Sequence, residues 1–175
     1  MRNRKLLIAI ALLAAIGVHC SCLGPFLYSP AINSLRLRRF ANSLYAYPLP
    51  PGTEVVARYS KVGNLGPTGN HCDYMAALVL VTNLTRAEVE AYYQGMSLPQ
   101  VGDQDSELCG ADLIFQDEVE AYLAEWGRPY VGAKYDEFLY NELVVPSEQQ
   151  LHGRLHFCIE VYDTHYDAGF DCRCM

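Results

Sequence analysis

The stretch Tyr74–Val81, which reads YMAALVLV, is the segment that decides the fold. An uncharged run of this length predicts a strand that is covered by other elements on both of its faces. It follows Pro48–Gly52, which reads PLPPG and would break any helix, so we place the start of the folded domain there. The run is therefore expected to be the central strand of a sheet.

Helix signals follow this strand. Thr85 and Glu88 are spaced as a capping box, which predicts a helix that runs to about Gln94 and ends at Gly95. A second helix is predicted at residues 117–126, where apolar side chains recur at helical spacing. Additional strands are predicted at Glu54–Val62, Leu113–Phe115, Phe138–Val145 (the first half of which could instead be helical) and Leu155–Tyr162.

The strand at Leu155–Tyr162 alternates between apolar and polar residues, and we expect Phe170–Met175 to return beside it as a hairpin partner. Together these elements predict an α+β domain with an antiparallel or mixed sheet and two helices on one face, preceded by an N-terminal transmembrane helix. The domain organisation is a membrane anchor or signal segment at residues 1–28, a juxtamembrane stretch at 29–47 and an acidic domain at 48–175.

The N-terminus carries the membrane signal. Three basic residues at positions 2, 4 and 5 precede an uncharged run over residues 6–28, which as a helix would be about 34 Å long and could cross a bilayer. A permanent anchor, a cleaved secretory signal and a buried N-terminal helix all remain open. Basic residues flank the run on both sides, and those at 2, 4 and 5 lie nearer to it than those at 36, 38 and 39. The nearer charges favour an N-terminus in the cytoplasm, which places residues 48–175 outside it, or makes the domain secreted if a signal is cleaved.

Charge limits the possible partners. From Pro48 onward the chain has 20 acidic and seven basic residues, a balance of −13. Such a surface repels a phosphate backbone, so we expect no nucleic-acid partner. The expected partners are the lipid bilayer, through residues 6–28, and another envelope protein.

The Gly/Asn-rich loop at 63–71, the apolar strand after it and the capped helix together resemble short uncharacterised bacterial proteins that are membrane-anchored or secreted. The resemblance covers residues 48–95 and the strand near the C-terminus. It implies a location at or beyond the membrane and brings no activity with it.

The C-terminal histidine and cysteine residues are the candidates for metal or redox chemistry. In one register of the predicted hairpin, His156, Cys158, Cys172 and Cys174 share a face and could bind zinc or copper. In the register slipped by one residue, Cys172 and Cys174 join the apolar face, and Asp171 and Arg173 are solvated. The apolar pattern favours the slipped register, so Cys172 should be less accessible than Cys158, and a disulfide from Cys172 or Cys174 to Cys72 or Cys109 is possible.

Other motifs favour ordinary structural explanations. The loop at 63–71 lacks the ending of a phosphate-binding loop, and the acidic run 103–107 lacks the glycine that a calcium loop needs. His71, Cys72 and Asp73 are consecutive, and neighbours on an extended chain point to opposite faces. With no recognisable catalytic residue or cofactor motif, we expect a non-catalytic binding or interaction domain in the cell envelope. A metal-binding or redox protein is the alternative.

Overall fold

The computed structural model describes residues 8, 10, 12, 13, 16, 17, 24–65, 71–101, 108–126, 140–144, 153–165 and 171–174. Five strands in this part of the chain form one antiparallel sheet, which confirms the α+β class. The strands are β1 (Glu54–Gly63), β2 (Cys72–Thr82), β3 (Ser97–Pro99), β4 (Leu108–Phe115) and β5 (Leu155–His165), in the spatial order β1-β2-β5-β4-β3. The α-helices are α1 (Gly24–Tyr45), α2 (Arg86–Tyr93) and α3 (Gln116–Trp126).

Strand β2 is the best-buried element of the sheet. All 11 of its residues are buried, and it pairs with β1 on one edge and β5 on the other. Its side chains alternate between two apolar clusters, with Leu78 and Leu80 in the larger cluster and Val79 in the smaller. The prediction of a central, doubly covered strand at Tyr74–Val81 is confirmed.

The two faces of the sheet are covered by different helices. Helix α1 contributes Phe40 and Leu44 to the larger cluster, and α2 contributes Val89. On the opposite face, Val119 of α3 packs against the smaller cluster. The expectation that the helices at 85–94 and 117–126 share one face is therefore wrong, because a sheet with apolar side chains on both faces must be covered on both.

Local helix signals are confirmed at α2. The Glu88 backbone N–H donates to the Thr85 hydroxyl, and the Thr85 backbone N–H donates to the Glu88 carboxylate at 2.8 Å. This reciprocal capping satisfies two amides that the first turn of a helix leaves without a partner. Gly95 ends the segment with φ of +75°, a conformation that favours glycine.

The strand predicted at Phe138–Val145 is wrong where the structure describes it, because Tyr140–Val144 forms a π-helical turn. Leu143 is fully buried there and belongs to the smaller cluster, so the turn helps to cover the second face of the sheet. An apolar run of this kind fits a buried helical turn as well as a strand, and the sequence pattern could not separate them.

The predicted C-terminal hairpin is also wrong. Strand β5 pairs with β2 along one edge and with β4 along the other, so it has no free edge for a returning strand. Cys172–Cys174 instead forms a 3₁₀ turn. Both hairpin registers fail for this reason, and the charged Asp171 is fully buried rather than solvated.

The predicted membrane segment, residues 6–28, lies mostly outside the described residues. No helix in the described part of the chain is both long enough and apolar enough to cross a bilayer. The stretch predicted to be juxtamembrane, residues 29–47, is helical through Tyr45 as part of α1.

Candidate functional site

A groove of about 490 Å³ lies between α1 and the chain around β3. Ile32, Leu35, Arg36 and Arg39 form one wall, and Pro99 and Val101 lie on the other. Volumes of a few hundred cubic ångströms are typical of sites that hold a small molecule or a headgroup-sized fragment. The groove combines apolar surface with two guanidinium groups, so it suits an amphiphilic and anionic ligand.

The helical period of α1 produces this arrangement. Asn33, Phe40 and Leu44 fall on the side that packs against the sheet and are buried. An adjoining side, which borders the groove, carries five residues that we name the outer stripe: Tyr28, Ile32, Leu35, Arg36 and Arg39. Ile32 and Leu35 keep 47% and 53% of their surface exposed, so apolar side chains lie uncovered beside the two arginines.

The charge of α1 is opposite to that of the domain it packs on. All 20 acidic residues of the chain lie at or after Glu54, so α1 contains none. Within the described residues, Arg86, Arg154 and Arg173 each form an ion pair with a carboxylate, and none of the three arginines of α1 does. Among the described residues that line it, the groove therefore carries two positive charges and no negative one.

A polar cluster lies where Asn33 of α1 meets the start of β2 and the C-terminal turn. We name it the C-terminal clasp, and it comprises Asn33, Cys72, Asp171, Arg173 and Cys174. Cys72 and Cys174 form a disulfide that links the start of β2 to the C-terminal turn. The amide nitrogen of Asn33 donates to Cys72 Sγ at 3.2 Å and to the Asp171 carboxylate at 3.0 Å. The clasp thus joins α1, the sheet and the C-terminus at one buried point.

Arg173 fixes the clasp to the helix and to β1. Its guanidinium donates to both oxygens of Asp171 and to the backbone oxygen of Pro30 at 2.8 Å. Its own backbone oxygen accepts from Asn64 N–H at 2.6 Å, and it lies so near Gly63 that a Cβ there would approach it to 2.9 Å. Gly63 is consequently required by a close approach of two backbones.

Asp171 titrates far from its ordinary range. Hydrogen bonds from the Arg173 side chain are the largest cause, followed in the same direction by the Asn33 amide, and they lower the pKa of Asp171 to about 2 despite its burial. The carboxylate is therefore ionised across the physiological range, which lets it hold Arg173 in place.

Asp171→Asn should lower stability at neutral pH and flatten its dependence on acid. Because the folded pKa lies below the ordinary value, Asp171 stabilises the fold above about pH 4 and loses that contribution as the pH falls towards about 2. Urea unfolding of both proteins at neutral pH, at about pH 4 and near pH 2.5 measures this effect. An acid dependence equal in both proteins would contradict the assignment.

The structure does not bring together the four residues predicted as metal candidates. Cys174 is held in the disulfide, near the end of the sheet where Cys72 pairs with His165. His156 pairs with Val81, nine residues along β2 and about 30 Å away. His156 and Cys158 are both buried, and Cys172 is exposed, so the predicted order of accessibility for Cys158 and Cys172 is wrong.

One grouping of ligand atoms does occur among the described residues. Sulfur atoms of Cys72 and Cys174 and a carboxylate oxygen of Asp171 lie within 4.8 Å of one another. Because the two sulfurs are bonded to each other and Arg173 neutralises the carboxylate, this grouping serves the fold. Cys109 is likewise unsuited to thiolate chemistry, since burial and then the charge of Asp163 raise its pKa to about 11.

Asp73 connects the two ends of the Gly/Asn-rich loop at 63–71. This buried carboxylate accepts from Leu65 N–H at 2.6 Å and lies 3.0 Å from His71 Nε2, so it ties the two ends of the loop. His71 and Asp73 lie two apart and share a face, whereas the sequence argument considered only adjacent residues. Residues 66–70 and the acidic run 103–107 lie outside the described residues.

The sequence offered the Cys72–Cys174 disulfide as one of several possible pairings, and the structure contains it, but sequence reasoning missed the other residues that build the clasp and the groove. Asn33, Asp171 and Arg173 gave no motif, because 138 positions separate Asn33 from Asp171. For the groove a signal did exist. The arginines at 36, 38 and 39 sit in a segment without acids, and plotting charge along the chain would have marked it.

No family model matches the chain, and no similar protein was found among curated proteins or solved structures. The fold alone defines the class of this protein, which is an antiparallel α+β domain with a basic helix and a disulfide clasp.

Proposed function

We propose that this protein is a membrane-anchored envelope protein whose domain lies outside the cytoplasm and acts by binding. The observation that carries the proposal is the buried disulfide between Cys72 and Cys174. Disulfides form and persist in oxidising compartments outside the cytoplasm, and this one cross-links positions 102 residues apart.

The anchor is supported by apolar side chains near the N-terminus. Ile8, Ile10, Leu12, Leu13 and Ile16 are helical, and each keeps between 53% and 68% of its surface exposed. Apolar side chains that the domain leaves uncovered are stabilised by a hydrocarbon environment. Their exposure favours an anchor or a signal segment over a helix buried in the domain.

The groove at α1 supports a binding function. It offers two guanidinium groups and apolar side chains in a concave site on a rigid helix, which is a recognition surface. The alternative, a metal-binding or redox protein, would use His156, Cys158, Cys172 and Cys174, which the structure keeps apart. Metal analysis of the purified full chain separates the two, because bound zinc or copper at one ion per chain would favour the alternative.

A topology experiment tests the location. A reporter that is active only outside the cytoplasm, fused after Met175, should be active, and the intact chain should stay in the membrane fraction after a carbonate wash. Gel mobility with and without reductant should show the disulfide in protein taken directly from cells.

Two results would change the proposal. A soluble mature form that begins near Leu23 would replace the anchor with a cleaved signal. Reporter activity in the cytoplasm, together with a fully reduced Cys72, would overturn the proposal.

A further inference from the structure

We propose that the outer stripe and its groove bind the anionic headgroups of phospholipids in the membrane that holds the N-terminus. This inference rests on the anchored location proposed above and names the ligand of the groove. The chemistry is that of an anionic amphiphile, which needs a cationic site for its phosphate beside an apolar surface for its glycerol and upper acyl region.

The groove supplies both parts. Arg36 and Arg39 stand three residues apart on one face of α1, and a guanidinium group can form paired hydrogen bonds with phosphate oxygens. Ile32 and Leu35 lie beside them on the same wall and are about half exposed. Tyr28 adds an exposed aromatic ring at the start of the stripe, as aromatic residues do at membrane interfaces.

Charge favours this face in an approach to an anionic surface. The chain from Pro48 onward has a balance of −13 and is repelled by such a bilayer, whereas residues 1–47 carry six basic residues and no acidic ones. Within the described part of the chain the α1 arginines form no ion pair, and Arg36 makes only a long hydrogen bond of 3.4 Å to the Asn33 side-chain oxygen, so no ion pair of these residues has to break before they bind phosphate.

Continuity along the chain favours lipid over an acidic protein partner. Exposed apolar side chains run from Ile8 to Ile16 and resume at Phe26, Tyr28, Ile32 and Leu35. A protein partner on α1 would account for the second group and leave the first uncovered. A bilayer accounts for both groups, which stand in one N-terminal segment of the sequence without an acidic residue.

Pro30 and the C-terminal clasp set the orientation of the stripe. Proline lacks a backbone N–H, so a helix can bend where it contains one, and Pro30 lies between Tyr28 and Ile32. The Arg173 guanidinium donates to the Pro30 backbone oxygen at 2.8 Å, and the Ser34 hydroxyl donates to the same oxygen. The clasp thereby holds α1 at Pro30 and Ser34, which fixes the orientation of the stripe on the domain.

The test uses the full chain in vesicles of phosphatidylcholine alone or with added phosphatidylglycerol. Arginines are modified with phenylglyoxal, and their rates are followed by mass spectrometry. We expect Arg36 and Arg39 to react several-fold more slowly in the anionic vesicles, and raising salt to about 0.5 M should restore their rates. Arg38 is the internal control, because it is exposed on the same helix but lies off the outer stripe.

A pair of variants separates the apolar stripe from net charge. Leu35→Glu and Arg38→Glu both add negative charge to exposed positions of α1. Leu35→Glu should abolish the protection of Arg36 and Arg39, and Arg38→Glu should leave most of it. Equal effects of the two variants would overturn the role of the stripe.

The outcomes distinguish this inference from the proposed function. Unchanged rates at Arg36 and Arg39, in a chain that sediments with the vesicles and resists carbonate, would overturn lipid binding and leave the anchor intact. A chain that fails to associate with any vesicle would overturn both. Protection by soluble polyglutamate but not by phosphatidylglycerol would replace the lipid with an acidic protein partner.

Discussion

Replacing Leu80 or Leu78 with alanine should lower the free energy of unfolding by about 2–5 kcal/mol. Both side chains are at most 1% exposed and belong to the larger apolar cluster, on the face of the sheet that α1 and α2 cover. Each truncation removes apolar burial and leaves a cavity that the strand pairs on both edges of β2 prevent from closing. Urea unfolding monitored by circular dichroism measures the loss.

Leu35→Ala is the matched control. It makes the same change of side chain on an exposed position of α1, so its effect should stay within about 0.5 kcal/mol. Losses below about 1 kcal/mol at both Leu78 and Leu80 would mean that β2 is not the central strand.

Local patterns carried the correct part of the sequence prediction. The apolar run of β2 and the alternation of β5 depend on neighbours within a few positions, and so does the capping box of Thr85 and Glu88. Each of these signals predicts the secondary structure of its own segment and the side chains that form its apolar face. None of them predicts which strands become neighbours in the sheet.

Errors arose where long-range pairing decides the structure. Phe170–Met175 was assigned to β5 because the two are close in sequence, yet β2 and β4 already occupy both edges of β5. Asp171 was placed in solvent because it is charged, yet Arg173 and Asn33 satisfy it inside the fold. A pattern of apolar and polar positions cannot predict a charged residue that is buried together with its partner.

The groove illustrates a third kind of limit. The arginines at 36, 38 and 39 were visible in the sequence, but the face of α1 that they occupy depends on how the helix docks. Docking is set by Asn33, Phe40 and Leu44, which are buried against the sheet and the clasp. Once that face is fixed, the helical period alone places Arg36 and Arg39 outward.

Cys174→Ser should be the most damaging change at the C-terminus and should lower the free energy of unfolding by about 4–5 kcal/mol. The disulfide joins residues 102 positions apart, and a cross-link of that span removes a large amount of chain entropy from the unfolded state. Its loss also frees the turn that presents Asp171 and Arg173 to α1. Urea unfolding under oxidising conditions measures the effect.

The neighbouring cysteine provides the control, because Cys172 is exposed, lies two residues away and takes no part in the disulfide. Cys172→Ser should therefore leave stability within about 0.5 kcal/mol of the parent protein. Reductant should destabilise the parent and Cys172→Ser alike and leave Cys174→Ser unchanged, since only the first two have a cross-link to lose. If Cys172→Ser instead destabilises the protein and Cys174→Ser does not, Cys172 is the partner of Cys72, and the C-terminal turn docks in a different register from the one that places Asp171 against Asn33.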